Sequence, residues 1–323
     1  MDGAFALYDP ELTMPLSQNA LSRLAPLAMV LGWASEVDFV TSASQHGHQV
    51  LCSDFITNVP LFSNFAPPSL PPTPPSPPLF PSTGRHTVVF MFTDGDSLSW
   101  DLGTFPSPAF DWWGSPRRGT LPIAWTFQPA LQEIHPYFLD WVRRNATAVD
   151  TLIGGPSGAG YTYLDQYPSS SARAVFAEWT SRSMARAGFT NMVNQIQNGP
   201  FNPEFLMETV NRPDAPSALF IDEYFELTIR GSARLLNKTV ITSRRHCLSK
   251  TFGDVTPDTL VAILNAAPTD GTSEDAYTVV GVEVWGYGVA DIADLVARLN
   301  ASHVAVVGIE EYVARLNQHV FNT

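Results

Sequence analysis

The sequence predicts an α/β fold, a (β/α) barrel or barrel-like single domain with mostly parallel strands. Short apolar, β-branched runs alternate with amphipathic runs of helical period, the pattern of repeated βα units. Several of the short runs are apolar at nearly every position, as in parallel strands covered on both faces. The chain has 323 residues, 45% of them hydrophobic, which suits one barrel of roughly 250–300 residues. A doubly wound open sheet is the second architecture with this alternation.

In chain order, strands are expected at 28–33, 49–53, 87–92, 122–127, 151–154, 192–195, 218–221, 240–242, 279–285 and 303–307. Helices are expected at 136–145, 171–187, 203–210, 257–265, 290–300 and 310–319. Pro136, Pro203 and Pro257 open three of them, where a missing amide costs least. Ile292, Leu295, Val296 and Leu299 recur at helical spacing and make one core-facing stripe. No internal repeat has a fixed period.

The sharpest break in composition is 66–82, APPSLPPTPPSPPLFPS. Its prolines lack amide donors and fix φ, so it favours extended polyproline II. Strand-like segments on both sides favour a loop insertion within one domain, 27–323, preceded by an N-terminal extension, 1–26. A boundary between two domains is the other reading. The two differ in whether residues before the segment bury surface against residues after it.

Lys plus Arg number 18 against 31 Asp plus Glu, a formal charge of −13, which repels a phosphate backbone and argues against a nucleic-acid partner. No uninterrupted apolar stretch reaches the roughly 18 residues that read as a membrane-spanning helix. Cys52 and Cys247 are the only cysteines, which excludes a cysteine framework and an all-thiolate zinc site but leaves one disulfide open. The sequons at Asn145, Asn237 and Asn300 permit glycosylation in a secretory compartment, although such triplets also arise by chance. The first 26 residues contain Asp2, Asp9 and Glu11, without the basic and long apolar regions of a signal peptide. The protein is therefore intracellular, or its start is incomplete and an extracellular location stays open. The seven histidines include no HExxH pair, and His46 and His48 stand two apart in a turn-like segment. His135, His246 and His303 read as surface or locally hydrogen-bonded groups.

In such folds functional groups project from the carboxyl ends of parallel strands. The run 87–92 leads straight into Asp94-Gly95-Asp96, where the glycine permits a tight bend that aims both carboxylates inward. Glu36, Asp54, Asp222 and Glu223 end or closely follow other strands, and Glu283 lies inside the last-but-one. One such acid alone is as well explained by a cap or a turn; recurrence at several strand ends points to a shared mouth. Two opposed carboxylates suit glycoside hydrolysis, one protonating the leaving oxygen and the other activating water or attacking the anomeric carbon. The Asp-Gly-Asp lacks the full calcium-loop pattern, so metal binding ranks lower.

Trp100, Trp112, Trp113, Trp125, Tyr161, Tyr163, Trp285 and Tyr287 cluster near the same expected mouth, where flat rings can cover a sugar face. Core packing is the competing role for each, and Trp112-Trp113 is the pair expected to form a loop platform. The run Gly154-Gly155-Pro156-Ser157-Gly158-Ala159-Gly160-Tyr161-Thr162-Tyr163 lacks the third glycine of a dinucleotide fingerprint and the ending of a P-loop. No cofactor is expected. Ser157 is one residue short of a nucleophile elbow, and no helix pattern follows it directly.

Gly158-Ala159-Gly160-Tyr161-Thr162-Tyr163, preceded by Gly155-Pro156-Ser157, resembles the signature of the GxGYxYP glycoside hydrolases. Leu31-Gly32-Trp33 with Glu36, Ser53-Asp54 with Asn58, Thr93-Asp94-Gly95-Asp96 with Trp100, Trp125-Thr126 and Val284-Trp285 occur in an order similar to that family's C-terminal domain. The resemblance runs from about Val30 to the C-terminus. Leu164 stands where the name motif carries proline, and Ser97 where asparagine is usual. The family's preceding N-terminal domain has no counterpart in this reading, which suggests a truncated reading frame. The resemblance implies a β/α-barrel-like catalytic domain and carbohydrate hydrolysis.

The resulting expectation is a glycoside hydrolase acting on a polysaccharide or glycoconjugate, with a carbohydrate as partner and no metal. Asp94 and Asp96 are the expected central carboxylates, with Asp222, Glu223 and Glu283 as further catalytic candidates. Glu36 and Asp54 are candidates for the second acid and for substrate binding. Trp125, Ser157, Gly158, Gly160, Tyr161, Tyr163 and Trp285 complete the expected substrate contacts. The alternatives are a carbohydrate-binding protein without turnover, and an esterase or deacetylase using Ser157 with a histidine, or a metal.

Overall fold

The computed structural model describes residues 14–33, 35–53, 56, 59–65, 80–81, 84–197, 201–223 and 229–322, with the side chains of 59, 60 and 223 left outside the description. Two strands form a small parallel sheet, β1 (Met29–Gly32) and β2 (Gln49–Cys52), joined by a helix at Glu36–Gln45. The main sheet contains β3 (His86–Phe92), β4 (Ile123–Phe127), β5 (Asp150–Gly154), β6 (Asn191–Ile196), β7 (Ala218–Glu223), β8 (Ala233–Leu236), β9 (Thr239–Ser243), β10 (His246–Leu248), β11 (Tyr277–Val282) and β12 (Val304–Val306). Its order is β10-β11-β3-β4-β5-β6-β7-β9-β8, with β12 also pairing β3. All ladders are parallel except β8 with β9.

All ten expected strands form, and β8 and β10 are additional. The Arg234 side chain interrupts the apolar run in β8, which turns into β9 through Asn237 at φ 57°; asparagine tolerates this left-handed geometry. Only three residues make β10, too few to show a period. The helices Pro15–Leu21 and Glu36–Gln45 are also additional.

The α/β class holds, but the sheet curls into a half-barrel of mixed strands instead of closing as a fully parallel barrel. Side chains along β3 alternate between two apolar layers, as strand geometry requires. Val88, Phe90 and Phe92 face a core shared with Phe138, Leu139, Phe176, Leu260 and Ile292 from the flanking helices. Val89 and Met91 face a second core with Phe220, Val279, Ile309, Tyr312 and Leu316. The helix Ile309–Arg315 thus packs on the second face. An eight-stranded barrel leaves room inside for side chains alone, so a helix on that face requires an open curl.

Residues on the two sides of the proline-rich stretch pack together. Val50 and Tyr161 exchange backbone hydrogen bonds of 2.8 and 2.9 Å. Leu21, Phe39, Val40 and Val50 share an apolar cluster with Tyr161 and Tyr163. Within the stretch itself only Phe80 and Pro81 are described. The Phe80 amide donates to Gln318 Oε1 at 2.9 Å.

Candidate active site

The carboxyl ends of β3 and β11 lie side by side, with Val282 paired to Phe92 and the Thr93 amide donating to Val282 O at 3.1 Å. Asp94 and Asp96 leave the first strand and Glu283 the second. Asp94 is the residue that takes the left-handed conformation, at φ 68°, contrary to the expectation that Gly95 makes the bend. Gly95 has a different reason to be glycine: a Cβ there would stand 1.8 Å from Thr126 O. Its amide donates to Thr126 Oγ1 at 3.1 Å, and its carbonyl accepts from the Gln128 amide at 2.9 Å. The end of β4 therefore clamps the acidic loop, and Cys52 at the end of β2 bridges Ser97.

Asp94 keeps some contact with solvent as a residue while its carboxyl is enclosed. Burial first, then the charges of Glu283 and Glu36, raise its pKa to about 7; hydrogen bonding from Trp285 and Thr93 opposes the rise. Burial also raises Glu283, which is held by the Trp285 amide at 3.0 Å, the Gly286 amide, the Ser249 hydroxyl and the Lys250 charge. Glu283 and Asp96 are both buried, whereas Trp285 is 60% exposed and offers an open indole beside them. Edge-on contact with Trp112, at 5.5 Å between ring centroids, supports that indole.

The small sheet contributes Glu36, which accepts a hydrogen bond from the Tyr161 hydroxyl at 2.7 Å. Tyr161 also stacks on Trp33 at 6.1 Å and meets the Tyr163 hydroxyl at 3.4 Å. Burial, then the charge of Glu36, hold the Tyr161 phenol well above its ordinary pKa, with Tyr163 and Asp96 adding to the shift. Its proton thus stays available to Glu36. Glu36, Asp94, Asp96, Glu283, Tyr161, Tyr163 and Trp285 are brought together.

Other expected site residues have different surroundings. Trp125 is wholly buried, and its indole donates to Asp150 at 2.9 Å, at the opposite end of the neighbouring strand. Trp112 and Trp113 are also core residues; the loop platform expected of them is absent because their rings pack against Trp100 and Phe105. Ser157 is buried, accepting from the Gln195 amide at 2.8 Å and donating to its carbonyl at 3.3 Å, a structural pairing that leaves no hydroxyl facing a substrate. Gly158 and Gly160 serve close packing, since a Cβ would come within 2.7 Å of Thr180 and of Gln49 respectively. Asp222 pairs with Arg244 at 3.0 Å. Asp54 and the Glu223 side chain fall outside the described residues.

Sequence reasoning passed over Gln128 and Asp101, and named Thr126 only within a family motif. Thr126 lies within β4 and Gln128 directly follows it, and neither carries a charge to mark it. Asp101 is fully buried in the π-helical turn Trp100–Thr104 that follows the acidic loop, and its spacing from Asp94 has no helical meaning because Asp94 sits in a left-handed turn. Among the described residues, no group of three or more His, Cys, Asp or Glu is arranged to hold a metal ion. No described helix is long and apolar enough to cross a membrane.

A profile of the "GxGYxYP putative glycoside hydrolase C-terminal domain" matches residues 84–317, and one of the "GxGYxYP third domain" matches residues 3–64. The Leu31-Gly32-Trp33, Glu36 and Ser53-Asp54 motifs thus fall in the third-domain match, a correction to their expected place in the C-terminal domain. The fold is similar to that of a crystal structure of a "putative hydrolase" from Bacteroides thetaiotaomicron, with a TM-score of 0.84 and 22% identity. That likeness covers 98% of this chain and 62% of the other. No curated protein matches the chain.

Proposed function

Because the chain belongs to the GxGYxYP family, we propose that it is a glycoside hydrolase acting on a polysaccharide or glycoconjugate with Asp94 as proton donor. The observation that carries this reading is the juxtaposition of Asp94, raised to about 7, with Glu283 at the ends of neighbouring strands. Environments that separate the proton affinities of two carboxyls assign them different tasks. Asp94 gives its proton to the glycosidic oxygen as the carbon–oxygen bond breaks. Glu283, supported by amide and hydroxyl donors, presents negative charge to the sugar centre or to an attacking water. Trp285 covers an apolar sugar face. Tyr161 fixes Glu36 near Asp94 through its 2.7 Å hydrogen bond.

A panel of aryl glycosides tests the assignment. Asp94→Asn should lose about 10²–10⁴-fold in kcat on sugars with poor leaving groups. It should keep most of its rate on dinitrophenyl glycosides, whose leaving oxygen needs no proton. Glu283→Gln should lose both. Because the donor must hold its proton, activity should fall above pH about 7. A wild-type rate for Asp94→Asn on poor leaving groups would remove Asp94 from its role; glycan binding with no product release would replace hydrolysis by binding alone.

A further inference from the structure

The segment between β3 and β4 brings a second exposed ring to the neighbourhood of Trp285. Asp111 latches this segment to the start of the helix Val289–Ala297. Its carbonyl accepts from the Val289 amide at 2.7 Å, and its Oδ2 from the Ala290 amide at 2.6 Å. Glycine at 288 permits the close approach, since a Cβ there would stand 2.6 Å from Asp111 O. The next residue, Trp112, is buried and donates its indole N–H to Val284 O at 3.0 Å. The segment is thus fixed to the chain that leaves β11 with Glu283 and Trp285.

Two exposed rings rest on buried Trp112. Phe110 stacks on it at 4.9 Å between centroids and 9° between planes, and Trp285 meets it at 5.5 Å and 89°. Phe110 is 41% exposed and Trp285 is 60% exposed. The face of Phe110 against Trp112 is covered, so its exposure lies on the far face and the rim. One exposed ring is nearly parallel to Trp112 and the other nearly perpendicular, so their own planes cross at roughly a right angle. The surface is continuous with the acids, because the Trp285 amide itself donates to Glu283 at 3.0 Å.

A sugar ring lies flat on an aromatic ring through its C–H face. A glycan that covers both exposed rings must therefore turn its sugar planes between the two contacts. A ribbon of the cellulose type keeps successive sugar planes nearly parallel and can cover only one. Twisted chains of the laminarin or amylose type rotate from unit to unit and can cover both. We propose that Phe110 and Trp285 form two sugar-binding positions that select a neutral, twisted glucan chain. Glucose units suit flat stacking because their ring hydroxyls are equatorial and leave the faces apolar. The formal charge of −13 and the acids of the mouth disfavour an anionic chain. Latched to the helix start, the rings are held before the ligand arrives, which lowers the ordering cost of binding. The proposal rests on the hydrolase reading above and names the substrate class of that site.

Isothermal titration calorimetry tests it on the full chain carrying Asp94→Asn, which slows consumption of the ligand. Laminarihexaose, maltohexaose and cellohexaose are the probes. At least one of the two twisted chains should bind about tenfold or more tightly than cellohexaose. Phe110→Ala leaves the Asp111 latch in place; it should weaken that ligand about 3- to 10-fold, the worth of one stacked ring, and remove most of the preference. Phe110→Tyr should retain both, and serves if the alanine variant folds poorly. Failure of both twisted chains to bind, binding of cellohexaose as tight as theirs, or a preference untouched by Phe110→Ala would each overturn the proposal. Phe110-dependent binding with no product from the wild type would defeat the hydrolase reading and leave the two sugar positions standing. Hydrolysis of a hexasaccharide whose binding ignores Phe110→Ala would do the reverse.

Discussion

Asp94 combines a left-handed backbone at φ 68° with a carboxyl whose pKa is raised to about 7 from 3.8. Both features work against folding at neutral pH, and the second gives a measurable sign. Between pH about 4 and 7 the folded protein keeps a proton that the unfolded chain releases. Stability therefore falls as pH rises through that window, by at most about 1.4 kcal/mol per unit, and levels off above it. Asp94→Asn lacks this dependence. The variant should gain on the wild type as pH rises, reaching roughly 1–3 kcal/mol at pH 8 once screening by partial exposure is allowed for. Urea titrations at pH 4 and pH 8 measure the gap; a gap that does not widen would show that the carboxyl ionises normally. The same substitution should slow hydrolysis of sugars with poor leaving groups, so stability and that activity move in opposite directions at one side chain.

At the level of elements, strands were legible wherever both faces are apolar, as in β3, whose seven residues are all buried. The helices Pro136–Asn145 and Pro257–Asn265 matched at both ends because proline marks the start of each. What escaped were elements stabilised by neighbours: β8, held antiparallel to β9, and the helix Glu36–Gln45, packed through Phe39 and Val40 against Tyr161 and Tyr163. The acidic loop shows the same division. Its two carboxylates could be read from sequence, but its clamp on β4 could not. Gly95→Ala should cost about 3 kcal/mol or more, because its Cβ would overlap Thr126 O at 1.8 Å and drive β3 from β4. Chemical denaturation measures this, and a loss below 1 kcal/mol would mean that the loop yields easily. At Gly158, φ 110° and a 2.7 Å approach to Thr180 impose the same restriction from a helix.

Across the whole molecule, the signature motif acts as a joint. Tyr161 links the small sheet to the large one by backbone pairing with Val50, fills the cluster around Phe39, and holds Glu36 at the site. The residues matched by the third-domain profile thus contribute one wall of a site whose other acids come from the C-terminal-domain match. Tyr161→Ala should cost about 3–5 kcal/mol, as for other buried aromatics cut back to alanine. It should also uncouple Trp33 from the main core, since their contact runs through this ring. Separate unfolding transitions for Trp33 fluorescence and for far-ultraviolet circular dichroism would record that uncoupling; coincident transitions with an unchanged midpoint would deny the joint its role.

The sequence by itself determined the α/β class, ten strand positions and the two acids after β3, because periodicity and composition are local properties, and the resemblance of its ordered motifs pointed to the family; that Glu283 follows β11 instead of lying within it came from the structure. The tertiary structure alone decided that the sheet stays open around a helix, that Trp112, Trp113 and Trp125 belong to the core, and that Ser157 faces a backbone. It also decided that Glu36 and Tyr161, 125 positions apart, meet at 2.7 Å. Burial and charge proximity depend on which distant segments fold against each other. A single sequence records the residue types but not the distances that set their proton affinities.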